Sequence, residues 1–228
     1  MILATHQPIF LPWQGFFFKA AHADYMVLLD DVQYPRGKSW MNRNRLKNKT
    51  GTLWLTVPVW KAGRGLQSIR NVEICDERGW RRKHLRSIQH NYANAPYFDE
   101  YFPAIESIYQ NDHKLLADFN IELIRYLLKA LGLRVKLLRQ SDLGIEGGGT
   151  QLLITICERV GADRLLIFPV TEKYLDRTDF DRHGIEIVTA SVQPPVYPQL
   201  WGAFIYNLSI VDMLLNCGPA CRSILARA

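Results

Sequence analysis

The sequence predicts an α/β fold: a mostly parallel sheet with flanking helices in Rossmann-like layers, plus a helical insertion. Two observations point there. Apolar runs at 2–5 and 133–138 are each followed by a loop and then by a helix-period segment, at 12–22 and 150–161. A further apolar run follows each helix, at 25–29 and 163–169, which makes two β-loop-α-β units of the kind that builds a parallel sheet.

The elements follow in order. ILAT at 2–5 is a short strand ending at polar His6, and Pro12, suited to a first helical turn, opens a helix through FFFKAAH. YMVLL at 25–29 is the second strand and ends at Asp30 and Asp31; LWLTVPV at 53–59 is a third. In residues 80–93, Leu85, Ile88 and Tyr92 fall at helical spacing opposite a basic face. In residues 113–131, Leu116, Phe119, Leu123, Leu127 and Leu131 form an apolar stripe that Gly132 should stop. Residues 80–131 are therefore a candidate helical subdomain within one unit spanning 1–228. LRVKLL is a strand, the glycines 147–149 form a loop, 150–161 is a helix, and 163–169 and 184–190 are strands. The Pro-rich stretch 193–198 is a rigid connector. Ser209 caps a last helix, within which Asp212 needs a partner if buried.

With 228 residues, 48% hydrophobic and 22% charged, the chain can bury a sizeable core. Neither a signal-peptide pattern nor an apolar run near the ~18 residues of a membrane helix occurs, so a cytoplasmic protein without membrane insertion is expected. Cys75, Cys157, Cys217 and Cys221 lack redox or zinc spacing and are expected to be reduced thiols. Residues 36–86 hold 14 of the 28 Lys and Arg against three acids, a local +11 that leaves −5 for the remainder. Such an excess attracts anionic partners, whether phosphorylated metabolite, sugar nucleotide, tRNA or DNA.

Chemistry-bearing side chains crowd the first 45 residues: His6, Gln7, Lys19, Asp30, Asp31, Gln33, Lys38, Asn42 and Arg43. His6 and the aspartates stand at strand ends, where α/β sheets bind ligands. His6 is the candidate general base, with Gln7 an orienting amide and Trp13 a pocket wall. Successive side chains on an extended chain alternate, so only one of Asp30 and Asp31 should enter the cleft. There it could polarise His6, bind Mg²⁺ or hold an ammonium group; two turn-forming aspartates are the alternative. Lys38, Arg43 and Arg45, with Asn42 between, supply donors for phosphate or carboxylate, and Arg43 is the leading anion clamp. Lys83, His84 and Tyr92 on the basic helix, with Lys173, Tyr197 and Gln199, complete the candidate binding set; solvated surface and core packing are the competing explanations.

Thr5-His6-Gln7-Pro8 with Phe10, Pro12, Trp13, Gly15 and Phe16, then LLDDVQY and KSWMNRNRLK, resembles the WbqC-like protein family of bacteria. WLTVPV, KHLRSIQHNY, GGGTQLLITICERVGADR, KYLD, VYPQLWGAF and NLSIVDMLLNCG extend the resemblance over nearly the whole chain. It implies a place in O-antigen or other polysaccharide or specialised-metabolite biosynthesis, and transfer of an amino acid such as glycine to a sugar. One departure is Ile167-Phe168-Pro169-Val170, where the family carries a small, polar SGP-like turn.

No GxSxG elbow, HExxH, Cys/His metal set or P-loop lysine is present. The leading expectation is an acyl or aminoacyl transferase in which His6 deprotonates a sugar hydroxyl or amine, an Asp orients it, and Lys38 and Arg43 hold the donor. That donor is a nucleotide, acyl-CoA or aminoacyl-tRNA, with Mg²⁺ an open requirement. A nucleotidyl-transfer-like enzyme is the first alternative, and a non-catalytic nucleic-acid-binding module on the basic third is the second.

Overall fold

The computed structural model describes residues 1–226, the side chain of Arg78 excepted. The chain runs through β1 (Ile2–His6), α1 (Gln14–Ala21) and β2 (Tyr25–Leu28). An excursion follows: the hairpin β3 (Arg43–Asn48) and β4 (Gly51–Thr56), then α2 (Trp80–Tyr92), α3 (Phe98–Gln110) and α4 (Leu116–Ala130). Next come β5 (Lys136–Arg139), α5 (Gln140–Leu143), α6 (Gly149–Val160), β6 (Arg164–Ile167), α7 (Pro169–Glu172), α8 (Arg177–Arg182) and β7 (Glu186–Thr189), followed by α9 (Ile210–Cys217) and α10 (Cys221–Leu225).

Five strands form one all-parallel sheet in the order β5-β2-β1-β6-β7. Counted along the chain this is third, second, first, fourth, fifth, the doubly wound order whose direction reverses between β1 and β6. Side chains alternate across the sheet. Leu3, Val27, Leu165 and Ile167 pack with Ile154 and Ile156 of α6 and Phe180 of α8, while Ala4, Met26, Leu28 and Leu166 join the cluster holding Phe16, Phe17, Phe119, Leu123 and Leu214. Both faces are covered over the central strands, which is why β1 and β2 read as apolar runs, while the edge strands β5 and β7 carry charged residues.

Local signals place several boundaries. Gly132 takes φ +65° after α4, and the Leu133 N–H reaches the Leu128 carbonyl at 3.0 Å, satisfying an orphan helix-end acceptor. Ser209 Oγ accepts the Val211 N–H at 3.2 Å and caps α9. Other expectations shift. The first helix begins at Gln14 with Trp13 as its cap, the predicted strand at 53–59 is β4 at Gly51–Thr56, and β3 was not legible because Asn44 and Lys47, both polar, are among its buried residues. α3 lies inside the candidate helical stretch 80–131, and Pro103 within it is accommodated by burial of Phe98, Tyr101, Phe102, Ile105 and Tyr109. Among the described residues no helix is long and apolar enough to cross a membrane.

Candidate active site

The loop leaving β1 is held from two directions. Asn44 Nδ2, on β3, donates to the carbonyls of Phe10 (3.1 Å) and Leu11 (2.8 Å), and Asn120 Nδ2, on α4, donates to those of Pro8 and Met41, each at 2.7 Å. The Phe10 N–H donates to the Trp40 carbonyl at 3.0 Å. This clamp keeps buried Leu11 at φ +42°, a conformation side chains rarely adopt.

Between this loop and residues 35–45 lies a cavity of about 500 Å³, lined by His6, Gln7, Trp13, Lys38, Trp40 and Arg45 among others. Its lining holds two full cations and no carboxylate. Trp13 lies across Gly15, where a Cβ would sit 2.3 Å from the indole, so the glycine is what lets this wall form. The same indole packs on Phe168, after β6, with centroids 5.7 Å apart. Phe168 follows β6, next to the point where the strand order reverses, and the open space lies on the side of residues 35–45.

His6 is held in one tautomer. Its Nδ1 lies 2.8 Å from the Gln7 carbonyl, and because a carbonyl only accepts, Nδ1 carries the proton and Nε2 presents a lone pair. Burial, then the nearby Lys19 charge, lowers its pKa to about 3, so the imidazole is neutral at pH 7. Lys19 is itself buried. Its Nζ donates to the Thr5 carbonyl at 2.6 Å and sits 5.0 Å from the centroid of Phe168, and burial lowers its pKa to about 7. At Phe168, the chain therefore presents an aromatic face to a lysine.

The profile of the WbqC-like protein family matches residues 7–224. The chain belongs to the WbqC-like family. Rv1507c, an uncharacterized protein of Mycobacterium tuberculosis (strain ATCC 25618 / H37Rv), is 33% identical to it over 218 residues, 95% of this chain and 94% of that protein. No solved structure matches the chain.

In this WbqC-like chain, His6, Gln7, Trp13 and Lys38 share the cavity lining, and Lys19 lies behind His6. Other candidates are placed elsewhere. Asp30 is fully buried: Arg139 Nε donates to it at 2.7 Å, the Ser141 N–H at 2.9 Å and Ser141 Oγ at 2.7 Å. Asp31 pairs with Arg70 at 2.8 Å. Neither aspartate bonds His6, and with both spent on arginines and the cavity free of carboxylates, these residues do not make the Mg²⁺ site considered from sequence. Among the described residues no group of three His, Cys, Asp or Glu is placed to hold a metal. Gln33 is exposed and bridges to Ser68, and buried Asn42 donates to the Val57 carbonyl at 2.9 Å.

The anion clamp also moves. Arg43 lies 3.8 Å from the centroid of Trp54, outside the cavity lining, and it is Arg45, two residues on, that reaches the cavity. Arg45 is oriented by the carbonyls of Asn207 (3.4 Å) and Tyr206 (3.3 Å).

His84 is core. Its Nε2 accepts the Thr56 N–H at 3.1 Å, its Nδ1 meets the Tyr109 hydroxyl at 3.3 Å, and burial lowers its pKa to about 4. Lys83 is exposed on α2, and Lys173 lines a separate surface depression beside α7. Tyr92, Tyr197 and Gln199 belong to a buried network. Asp212, fully buried with its carboxyl pKa raised by burial, accepts from Tyr92 (2.5 Å) and Tyr197 (2.8 Å); Gln14 donates to Tyr197 (3.2 Å) and Lys47 to Gln199 (3.1 Å). Asp212 thus has the partners its place in an apolar helix demanded.

Burial raises the thiols of Cys157, Cys217 and Cys221, to about 12, 11 and 12, which leaves them inert at pH 7. Asn44, Asn120 and Asn207 had no local signature beyond polarity. Asn120 stands out only as an amide inside the apolar stripe of α4.

Proposed function

We propose that this WbqC-like chain is a transferase that moves an acyl or aminoacyl group from an activated, anionic donor to the hydroxyl or amine of a sugar. The observation that supports it best is His6: one nitrogen tied back, the other without a hydrogen-bond partner among the described residues, beside a cavity whose charged side chains are cations. In the reaction, the acceptor oxygen or nitrogen attacks the donor's carbonyl carbon and Nε2 takes the proton the acceptor loses. The new C–O or C–N bond forms as the bond to the carrier breaks, and the carrier leaves with its electron pair. Lys38 and Arg45 offset the carrier's negative charge. Negative charge developing beside the imidazole favours its protonated form and raises its basicity above that of the free enzyme, and the imidazolium then returns the proton to the carrier.

The test has two readouts. A melting-temperature screen against nucleotides, sugar nucleotides, acyl-CoAs and charged tRNA, with and without Mg²⁺, identifies a donor class. Mass spectrometry with amino and hydroxy sugars then detects the product. His6→Ala should keep the donor-induced shift and lose the product. Product formed at the wild-type rate by His6→Ala, or no donor shift across the panel, overturns the reading.

A further inference from the structure

Beside the cavity stands a three-layer stack that no core packing explains. The Arg43 guanidinium lies 3.8 Å from the centroid of Trp54, and Trp54 stacks on Trp40 with centroids 5.7 Å apart at 30°. Both indoles are wet: Trp40 is 50% exposed and Trp54 42%. The stack does not end in solvent at random, because Trp40 also lines the cavity that holds Lys38 and Arg45. One face of Trp40 is covered by Trp54, and the residue shares the cavity lining with both cations. The indole does not hold the backbone here; that is the task of the Trp40 carbonyl, which accepts the Phe10 N–H.

The geometry points to a nucleotide subsite: an aromatic base stacks on Trp40 as the next layer of the Arg43–Trp54–Trp40 stack, and its phosphates meet Lys38 and Arg45. A half-exposed indole beside two cations matches a ligand that carries a planar ring and negative charge a few bonds apart. Stacking tolerates any base, so the subsite selects a nucleotide and not a particular one. The inference rests on the transferase reading for its purpose, since it identifies the donor's carrier as a nucleotide, but not for its test. Free nucleotides, nucleotide sugars, coenzyme A and the 3′ end of tRNA share this chemistry.

Calorimetric titrations of the whole chain with ADP, UDP and inorganic pyrophosphate separate base from anion. ADP and UDP should bind at least tenfold more tightly than pyrophosphate, the order of effect that one stacked base gives. Trp40→Leu, exposed enough to leave the melting temperature unchanged, should bring ADP down to the pyrophosphate level without altering pyrophosphate binding. Arg45→Gln should weaken all three. Coenzyme A and uncharged tRNA, run in parallel, show which carrier binds tightest. Equal binding of ADP and pyrophosphate, or ADP binding that Trp40→Leu leaves intact, overturns the subsite, as does a patch that binds no nucleotide and instead drives self-association in sedimentation. Nucleotide binding lost with Trp40 in a protein that forms no product would sink the transfer reaction and leave the subsite standing.

Discussion

The Nδ1–H of His6 points at the main-chain oxygen of Gln7, 2.8 Å away, and this bond decides what the imidazole can do. A side chain tied to its own neighbour's carbonyl cannot rotate to offer that nitrogen to substrate. Chemistry is left to Nε2. His6→Gln, which keeps a polar group but supplies no base, should lower turnover by about 10²–10⁴-fold with donor affinity unchanged, measured by single-turnover product formation. Turnover within a fewfold of wild type would remove His6 from the reaction.

Lys19 makes the site pH-dependent. Its charge disfavours imidazolium at His6, so as Lys19 loses its proton through about pH 7 the imidazole becomes a better base and kcat/KM should rise. Lys19→Met should abolish that limb. A profile with the same limb in the variant would assign it to another group.

Stability follows the same groups with a definite sign. His6 and Lys19 have folded-state pKa values of about 3 and about 7, below their ordinary 6.5 and 10.5, so within each window the unfolded chain holds a proton that the folded chain lacks. Stability therefore rises with pH from about 3 to 6.5 through His6 and from about 7 to 10.5 through Lys19. Below pH 7 the folded chain carries a buried ammonium to which no carboxylate is bonded among the described residues, so Lys19→Met should be more stable than wild type there. Urea unfolding at pH 6 and pH 9.5 tests this: the variant's advantage should shrink at the higher pH.

Fully buried Asp30, just beyond β2, forms an ion pair with partly exposed Arg139 at the end of β5. Asp30→Ala leaves Arg139 its second partner, Asp118 at 2.8 Å, but takes the acceptor from the Ser141 N–H and hydroxyl, so it should cost about 1–3 kcal/mol in denaturant melts. Activity per folded molecule, measured in cold or osmolyte-stabilised samples, should be retained. Loss of activity at full folding would return Asp30 to the mechanism.

Asn120 reaches the loop after β1 from α4, 112 residues away along the chain. Asn120→Leu leaves the carbonyls of Pro8 and Met41 without this donor, at a cost of about 1–3 kcal/mol. Because those carbonyls fix both sides of the cavity, the apparent KM for donor should rise more than kcat falls. The reverse split would mean that the clamp sets the chemistry and not the binding.

What the sequence by itself determined was the α/β plan and the stretch of chain that supplies most of the candidate cavity's lining. Strand and helix periods are local, a strand buried on both faces must read as an apolar run, and His6 ends the first of these; the family motif, too, is written along the chain. Which polar side chains meet was decided only in three dimensions. From sequence, Asp30 and Asp31 were equal candidates; Arg139, 109 positions away, takes Asp30 out of play, and Arg70 does the same to Asp31. Arg43 and Arg45 differ by one strand period, and only the pairing of β3 with β4 sends the first onto Trp54 and lets the second reach the cavity. His84, Tyr92 and Tyr197 looked like ligand contacts because buried polar groups and binding groups use the same residue types. Folding sorts them by whether another part of the chain supplies their hydrogen bonds, and no local pattern encodes that.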